Sequence, residues 1–448
     1  MKLILITLGC HKNLVDSEHF LGIAVNKLGM QITTDINEAD IAIINTCGFI
    51  NDAKQESIEK IIEVGNYKNQ PNTNLKKVIV AGCLAQRYAS ELMDEISEID
   101  GIIGTGDIDK LVEIVEEIKS DKRVVKSESL EFLMNSDTDR VLTTYPHTAY
   151  IKIAEGCDNR CTYCVIPYLR GKFRSRKIED IISEVEKLSE NGVKEISIIA
   201  QDTTEYGIDI YGKRMLASLL KRLSEIEKLE WIRVFYTYPN NYDDELITEI
   251  KTNNKICKYI DIPIQHISTS ILKRMGRRGS GEETKKLLSK LRKEIPEAVF
   301  RTSLIVGFPG ETEEEYNELT KFVEEFKFDY AGIFSYSREE GTPAFDLNNQ
   351  IDDEVKAERR VNLINLQNKI AEEKNKKYIG EIIDVIVDGV SEESEFMLEG
   401  RARFQALEID GKILINDGTA ERGEIVKVKI EQNFDYDLLG AIVDESTK

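Results

Sequence analysis

Six of the seven cysteines carry the chemistry that can be read from this sequence. The segment EGCDNRCTYC, residues 155–164, sets Cys157, Cys161 and Cys164 at C-x3-C-x2-C spacing, on a loop just after a strand-like run. Three thiolates on one tight loop can hold three irons of a cubane cluster. Cluster cysteines normally come in fours, so a set of three leaves one iron open to an external ligand. S-adenosylmethionine (SAM) can fill that opening through its amino and carboxylate groups. An electron passed from the cluster then splits a carbon–sulfur bond of SAM, and the 5′-deoxyadenosyl radical so formed removes hydrogen from an inert carbon. The protein's share of such chemistry is binding and shielding. Tyr163, just before the last cysteine, offers a ring to pack beside the adenine of SAM. The rival reading is a structural zinc site. That would need a fourth ligand, and the nearest histidine is His147, ahead of the strand.

The second set is dispersed. Cys10 follows LILITLG, Cys47 follows IAIINT and Cys83 follows VIVAG, so each lies at or just past the carboxyl end of a buried-strand candidate. In open α/β sheets ligands bind at that edge, and three distant cysteines would meet there, again with one coordination site open. The rival reading is three small core residues, a common fate for cysteine. Cys257, in NNKICKYID, has no companion and reads as a core residue. An odd cysteine count also argues against a disulfide framework.

The elements that must position these groups follow an α/β rhythm. Apolar runs at 3–7, 41–45 and 78–82 alternate with helical stretches and predict a parallel α/β domain over residues 1–118. The polar, irregular stretch 119–146 reads as a linker. Over 147–374, six strand candidates (150–154, 195–200, 231–236, 259–264, 300–306 and 330–336) alternate with helices. Six units suit a partial TIM-like (β/α)6 barrel, with an open doubly wound sheet as the alternative. Asn191 and Gly192 mark the end of one of its helices. A charged helix over about 352–377 leads to residues 375–443, where short strand-like runs and Gly/Asp turns predict a small antiparallel, OB-like β-barrel.

Composition narrows the function classes. The chain has 448 residues and a formal charge of −21, which disfavours holding nucleic acid through the net field and suits a basic protein partner. From Lys377 to Ala441 there are seven Lys or Arg against fifteen Asp or Glu. A surface of that balance repels phosphate and attracts a Lys/Arg-rich protein. There is no run of eighteen apolar residues, so no membrane span is expected. The first residues lack the features of a signal peptide, so a cytoplasmic location is the expectation.

Together these residues resemble the methylthiotransferase family of radical SAM enzymes along nearly the whole chain. Within it, TLGCHKNLVDSE (7–18), INTCGFI (44–50), KIAEGCDNRCTYCVIP (152–167), AQDTTEYG (200–207) and IVGFPGETE (305–313) look most like the RimO family, which acts on ribosomal protein S-twelve. That family more often has Pro where His11 stands, and tRNA-modifying relatives usually have Gln after the first cysteine. The resemblance implies an N-terminal cluster domain, a radical SAM barrel and a C-terminal TRAM domain. It implies two 4Fe–4S clusters: a radical cluster on Cys157, Cys161 and Cys164, and an auxiliary cluster on Cys10, Cys47 and Cys83 that carries the sulfur to be inserted. One SAM would methylate that sulfur. A second would yield the radical that takes hydrogen from the β-carbon of an aspartate, which then collects the methylthio group. An electron donor such as flavodoxin or ferredoxin would be required.

For SAM contacts the candidates are Tyr163, Gln201 and Asp202 at the end of the second barrel strand, and Arg301 entering the fifth. Gly307, Gly310 and Glu311 follow that strand, where ordinary turn requirements explain the glycines equally well. His266 reads as a core or hydrogen-bonding histidine. Two other functions stand beside this one. A tRNA methylthiotransferase modifying an adenosine near the anticodon is opposed by the acidic C-terminal segment. A non-catalytic iron–sulfur or zinc module is opposed by the open, three-cysteine sets, since structural sites are closed.

Overall fold

The computed structural model describes residues 1–443. The first domain is a six-stranded sheet of order β2-β1-β3-β4-β5-β6. Its strands are β1 (Lys2–Thr7), β2 (Gln31–Ile32), β3 (Ile41–Thr46), β4 (Lys77–Ala81), β5 (Gly101–Ile103) and β6 (Val124–Lys126), all paired in parallel. Every residue of β3 is buried, as expected when helices cover both faces of a parallel sheet. The strand order reverses between β1 and β3, and the crevice at their carboxyl ends is where such sheets take ligands. β6 comes from the segment expected as linker; Val124 is buried among the sheet's apolar residues.

The second domain runs β7 (Thr148–Lys152), a small antiparallel pair β8 (Ala154–Glu155) and β9 (Arg174–Ser175), then β10 (Glu195–Ile199), β11 (Trp231–Val234), β12 (Tyr259–Asp261), β13 (Val299–Val306) and β14 (Tyr330–Ser335). Two parallel three-stranded sheets, β11-β10-β7 and β12-β13-β14, form the halves of a partial barrel. A parallel bridge from Ile232 to Ile256 lies where the halves adjoin. The helix Ile178–Glu190 stops at Asn191, and Gly192 follows at φ 103, a backbone that glycine adopts readily.

After a helix over Asp353–Asn375, five strands close a small barrel: β15 (Ile382–Val390), β16 (Leu398–Ala402), β17 (Ile413–Asp417), β18 (Ile425–Phe434) and β19 (Asp437–Ile442). The barrel is not wholly antiparallel, because β17 and β19 pair in parallel. Five strands of alternating direction cannot close a ring without one parallel pair.

The domains share core. One apolar cluster joins Val15 of helix α1 (His11–Asn26), the inward-facing Tyr150, Phe235 and Tyr259 of the partial barrel, and Ile386 and Ala406 of the small barrel. The N-terminal domain also reaches the far side of the partial barrel: Lys54 and Arg87 both pair with Glu339, past β14, at 2.9 and 2.8 Å. Among the described residues no helix is long and apolar enough to cross a membrane.

Candidate metal centres

Cys10, Cys47 and Cys83 follow β1, β3 and β4, so the parallel register gathers them at one sheet edge. Close approach is built into the turns. Gly9 has φ 90, and a Cβ there would lie 2.8 Å from Cβ of Cys47. Gly82 has φ 91, and a Cβ would lie 2.6 Å from the Thr46 carbonyl oxygen. Asn13 pins two of these turns, its amide donating to the carbonyls of Leu8 and Thr46 at 2.9 and 3.0 Å. Cys83 is buried, Cys47 half-buried and Cys10 exposed. Burial and the neighbouring Cys83 push the Cys47 thiol up to about 12. Desolvation also acts against a thiolate at Cys10, but Lys12 and Arg170 outweigh it and hold that thiol below its ordinary value.

Cys157, Cys161 and Cys164 lie on the loop after β8. Thr162 fixes this loop by bonds to the Met275 and Arg274 carbonyls, at 2.8 and 2.9 Å, and its own carbonyl accepts from Ala344 N–H at 2.9 Å. Gly156 has φ 78, and a Cβ there would meet the Lys172 carbonyl at 2.1 Å. Burial pushes the Cys157 thiol up to about 11. Burial and Cys161 raise that of Cys164.

Both sets therefore hold thiols that resist ionising side by side, a repulsion that bound iron relieves because metal ligation requires thiolate. Among the described residues no three His, Cys, Asp or Glu side chains gather closely enough for a single metal ion. Thiolates that each take a separate iron of a cluster need no such common point. His147, the potential fourth zinc ligand, is instead buried with Nε2 2.8 Å from Asp388 of the small barrel. The donor sets fit clusters better than a closed zinc site.

A buried ionic network joins the two sets. Arg170 donates to Asp16 (3.0 Å), Glu155 (3.1 Å), Asn13 (2.7 Å) and the sulfur of Cys83 (3.6 Å). Lys152 pairs with the same Asp16 and, at 2.6 Å, with Glu155. Glu155 precedes the second cysteine loop by two residues and also accepts from Gln201 at 2.6 Å. The Gln201 side-chain oxygen Oε1 is buried and meets no donor among the described residues, an acceptor free for a ligand beside that loop.

The other expected SAM contacts are more occupied. Asp202 caps a 3-10 turn at Thr204 (3.1 Å) and accepts from Asn159 at 2.8 Å. Tyr163 packs on the Ile271, Met275 and Phe308 cluster, and its hydroxyl accepts from Arg277 at 3.3 Å. Arg301 lies near the start of β13, paired with Asp261 at 2.8 Å and 3.9 Å from Asp410. It lines a cavity of about 440 Å³ between the partial barrel and the small one, with Tyr330, Asp410 and Tyr436. Glu311 is buried and used by the Gly307 amide, His266 and Arg359. His266 and Cys257 are core residues, as expected.

Sequence reasoning passed over two largely buried groups that follow Cys10 directly. Lys12 is 8% exposed, and its Nζ sits 3.3 Å above the ring of Tyr236. Burial lowers its pKa, opposed by Cys10. His11 stacks on Tyr150 with ring centres 4.1 Å apart, and burial depresses its pKa to about 4. A signal was present: the first half of α1 carries Lys12, Asn13, Asp16, Ser17, Glu18 and His19, with Lys12, Asp16 and His19 at helical spacing, and all of them are buried.

Comparison with known proteins accounts for all three domains. Residues 151–323 match the Radical SAM superfamily, 2–104 the Uncharacterized protein family UPF0004, and 379–443 the TRAM domain. Among solved structures, the radical S-adenosylmethionine methyltransferase TsrM from Kitasatospora setae aligns with TM-score 0.57 at 14% identity, over 84% of this chain and 90% of that one. That likeness concerns fold alone. Among curated relatives, "Ribosomal protein uS12 methylthiotransferase RimO" of Pelotomaculum thermopropionicum is 50% identical over 99% of both chains. Its namesakes in Acetivibrio thermocellus and Clostridioides difficile are 48% identical over 100% of this chain and 49% identical over 99% of it, each with 99% of the relative covered. At that identity over its full length, the chain belongs to the RimO family of methylthiotransferases, radical SAM enzymes that use S-adenosylmethionine and a 4Fe–4S cluster.

Proposed function

We propose that this protein attaches a methylthio group to the β-carbon of an aspartate in the small-subunit ribosomal protein named in its relatives. It would use one 4Fe–4S cluster on Cys157, Cys161 and Cys164 and a second on Cys10, Cys47 and Cys83. When bound, the first cluster with SAM supplies the radical that activates the carbon, and the second supplies the sulfur. The observation that carries this reading is the pairing of two cysteine triads on facing domain edges, joined through Arg170. The chain's own residues join the two sets through Arg170, leave the Gln201 side-chain oxygen free as an acceptor, and pack α1, which begins beside Cys10, against the partial barrel. Reducing equivalents would come from a small carrier such as flavodoxin or ferredoxin. The acidic C-terminal barrel would dock the basic substrate; its charge argues against a tRNA.

The test is anaerobic reconstitution with iron and sulfide, then reaction with reductant, SAM and the ribosomal protein. Mass spectrometry should find one methylthio group on one peptide. Cys161→Ala should abolish 5′-deoxyadenosine formation. Cys47→Ala should retain part of it and lose sulfur insertion. Equal loss of both activities in both variants would refute separate roles for the triads.

A further inference from the structure

Lys12 is a buried cation beside Cys10 that has no protein acceptor among the described residues. Its side chain is nine-tenths buried. Among the described residues no carboxylate, carbonyl or hydroxyl accepts from its ammonium; its contact is the face of the Tyr236 ring at 3.3 Å. The first attraction on it comes from Cys10, two residues away, which makes no hydrogen bond to it among the described residues; the two carboxylates that also act on it, Glu155 and Asp261, are bound elsewhere. Glu155 is held by Lys152, Arg170 and Gln201, and Asp261 by Arg301 and the Tyr236 amide. Lys12 is mostly buried yet its Nζ is not among the fully buried unpartnered atoms, so the ammonium is poorly solvated but reachable, and an anion that meets it lowers the cost of its burial.

The support beneath Lys12 is also strained. Tyr236 has φ 58, uncommon for a bulky residue. Its amide donates to Asp261 at 2.7 Å and its carbonyl accepts from the Thr203 amide at 3.1 Å, so this backbone is held from both sides. It sets the ring under Lys12 and the hydroxyl 3.5 Å from Nδ1 of His11. Lys12 thus stands two residues past Cys10 and over Tyr236, just beyond β11 at the mouth of the partial barrel, where barrel active sites lie.

We infer that Lys12 binds the side-chain carboxylate of the target aspartate, with Tyr236 and His11 shaping the pocket. The inference rests on the proposed function for the identity of the substrate. The carboxylate is one bond from the β-carbon, so the group that holds it fixes the reacting carbon between the two cysteine sets. Lys12 is then a specificity-determining residue: it favours an aspartate over an asparagine of the same shape.

The experiment measures affinity of the reconstituted holoenzyme for two peptides of the ribosomal protein, one with the target aspartate and one with asparagine in its place. Wild type should prefer the aspartate peptide by about tenfold or more, the size of one hydrogen-bonded charge pair. Lys12→Met and Lys12→Gln should each bring the ratio to within about twofold, and Lys12→Arg should recover part of it. An unchanged ratio in either neutral variant would overturn the inference. So would a wild type that binds both peptides equally, whatever the variants do. So would a neutral variant that keeps the ratio but loses iron or shifts the spectrum of the N-terminal cluster, since Lys12 would then serve the cluster. Failure of wild type to bind either peptide would instead remove the substrate reading beneath it.

Discussion

Arg170 is the side chain through which the two cysteine sets act on one another. Its side chain is 1% exposed, and the guanidinium divides its donors among Asp16, Glu155, Asn13 and the Cys83 sulfur. Despite burial, Cys83, Glu155 and Asp16 hold its pKa well above the ordinary value. A planar fork suits four acceptors in different directions, which an ammonium cannot reproduce. Arg170→Met should therefore destabilise the cluster-free protein by about 3 kcal/mol, since removing one member of a buried ionic network strands the others. Lys152 still serves both carboxylates, which keeps the loss at the lower end of that range. Arg170→Lys should recover part of it. Urea midpoints measure both; a loss below about 1 kcal/mol for the methionine variant would mean the carboxylates find other partners.

At the scale of elements, the segment between the first two domains works as a clasp. Arg140, from the stretch expected as linker, pairs with Glu18 of α1 at 2.6 Å and with Glu184 of the barrel helix Ile178–Glu190 at 2.5 Å. His19 lies beside it, its Nδ1 2.9 Å from the Asp139 carbonyl. Burial, then Arg140, depresses the His19 pKa to about 3. Burial opposes ionisation of Glu184, but Arg176 and Arg140 prevail and hold it at about 2. Both folded values lie below the unfolded ones, so in both cases the unfolded chain binds the proton first, and stability present at neutral pH is lost on acidification. Loss should begin below about pH 6.5 through His19 and steepen below about pH 4 through Glu184. His19→Gln should flatten the upper part of the curve and Glu184→Gln the lower part; parallel curves for wild type and both variants would contradict this. The elements themselves were legible where a run of apolar residues is buried on both faces, as in β3, or where helical period is strong. Those missed lack such runs. β6 is three residues in a polar stretch, while β16 (LEGRA) and β19 (DLLGAI) owe their pairing to distant partners and barrel closure. The placement of Cys10, Cys47 and Cys83 just past parallel strands, and of Cys157, Cys161 and Cys164 on one short loop, follows from local sequence. Lys12, Arg170 and Tyr236 matter only through contacts between domains, which no local spacing encodes.

Across the whole molecule, charge is sorted between inside and outside. Cations are drawn into domain joints, where Arg401 of the small barrel bridges Asp388 and Glu195 at 2.7 Å each. Much of the acidic excess of the C-terminal barrel stays at its surface. The loop between β15 and β16 presents exposed Glu392 and Glu395 beside Phe396, which is 86% exposed. Acidic groups flanking an uncovered aromatic suit a Lys/Arg-rich protein, since opposite potentials speed and orient encounter while a ring supplies contact area. Binding through such a surface must weaken as salt screens it, because the Debye length falls from about 10 Å at 0.1 M to about 3 Å at 1 M. Affinity of the full-length protein for the ribosomal protein should therefore drop steadily over that range. The double variant Glu392→Ser, Glu395→Ser should bind more weakly at low salt and show a shallower salt dependence, converging on wild type when salt is high. Phe396→Ser should weaken binding at every salt concentration and leave the slope unchanged, because an apolar contact is not screened. A salt-independent affinity in wild type, or tighter binding of bulk tRNA than of the protein at low salt, would show that the acidic face is not where the substrate lands.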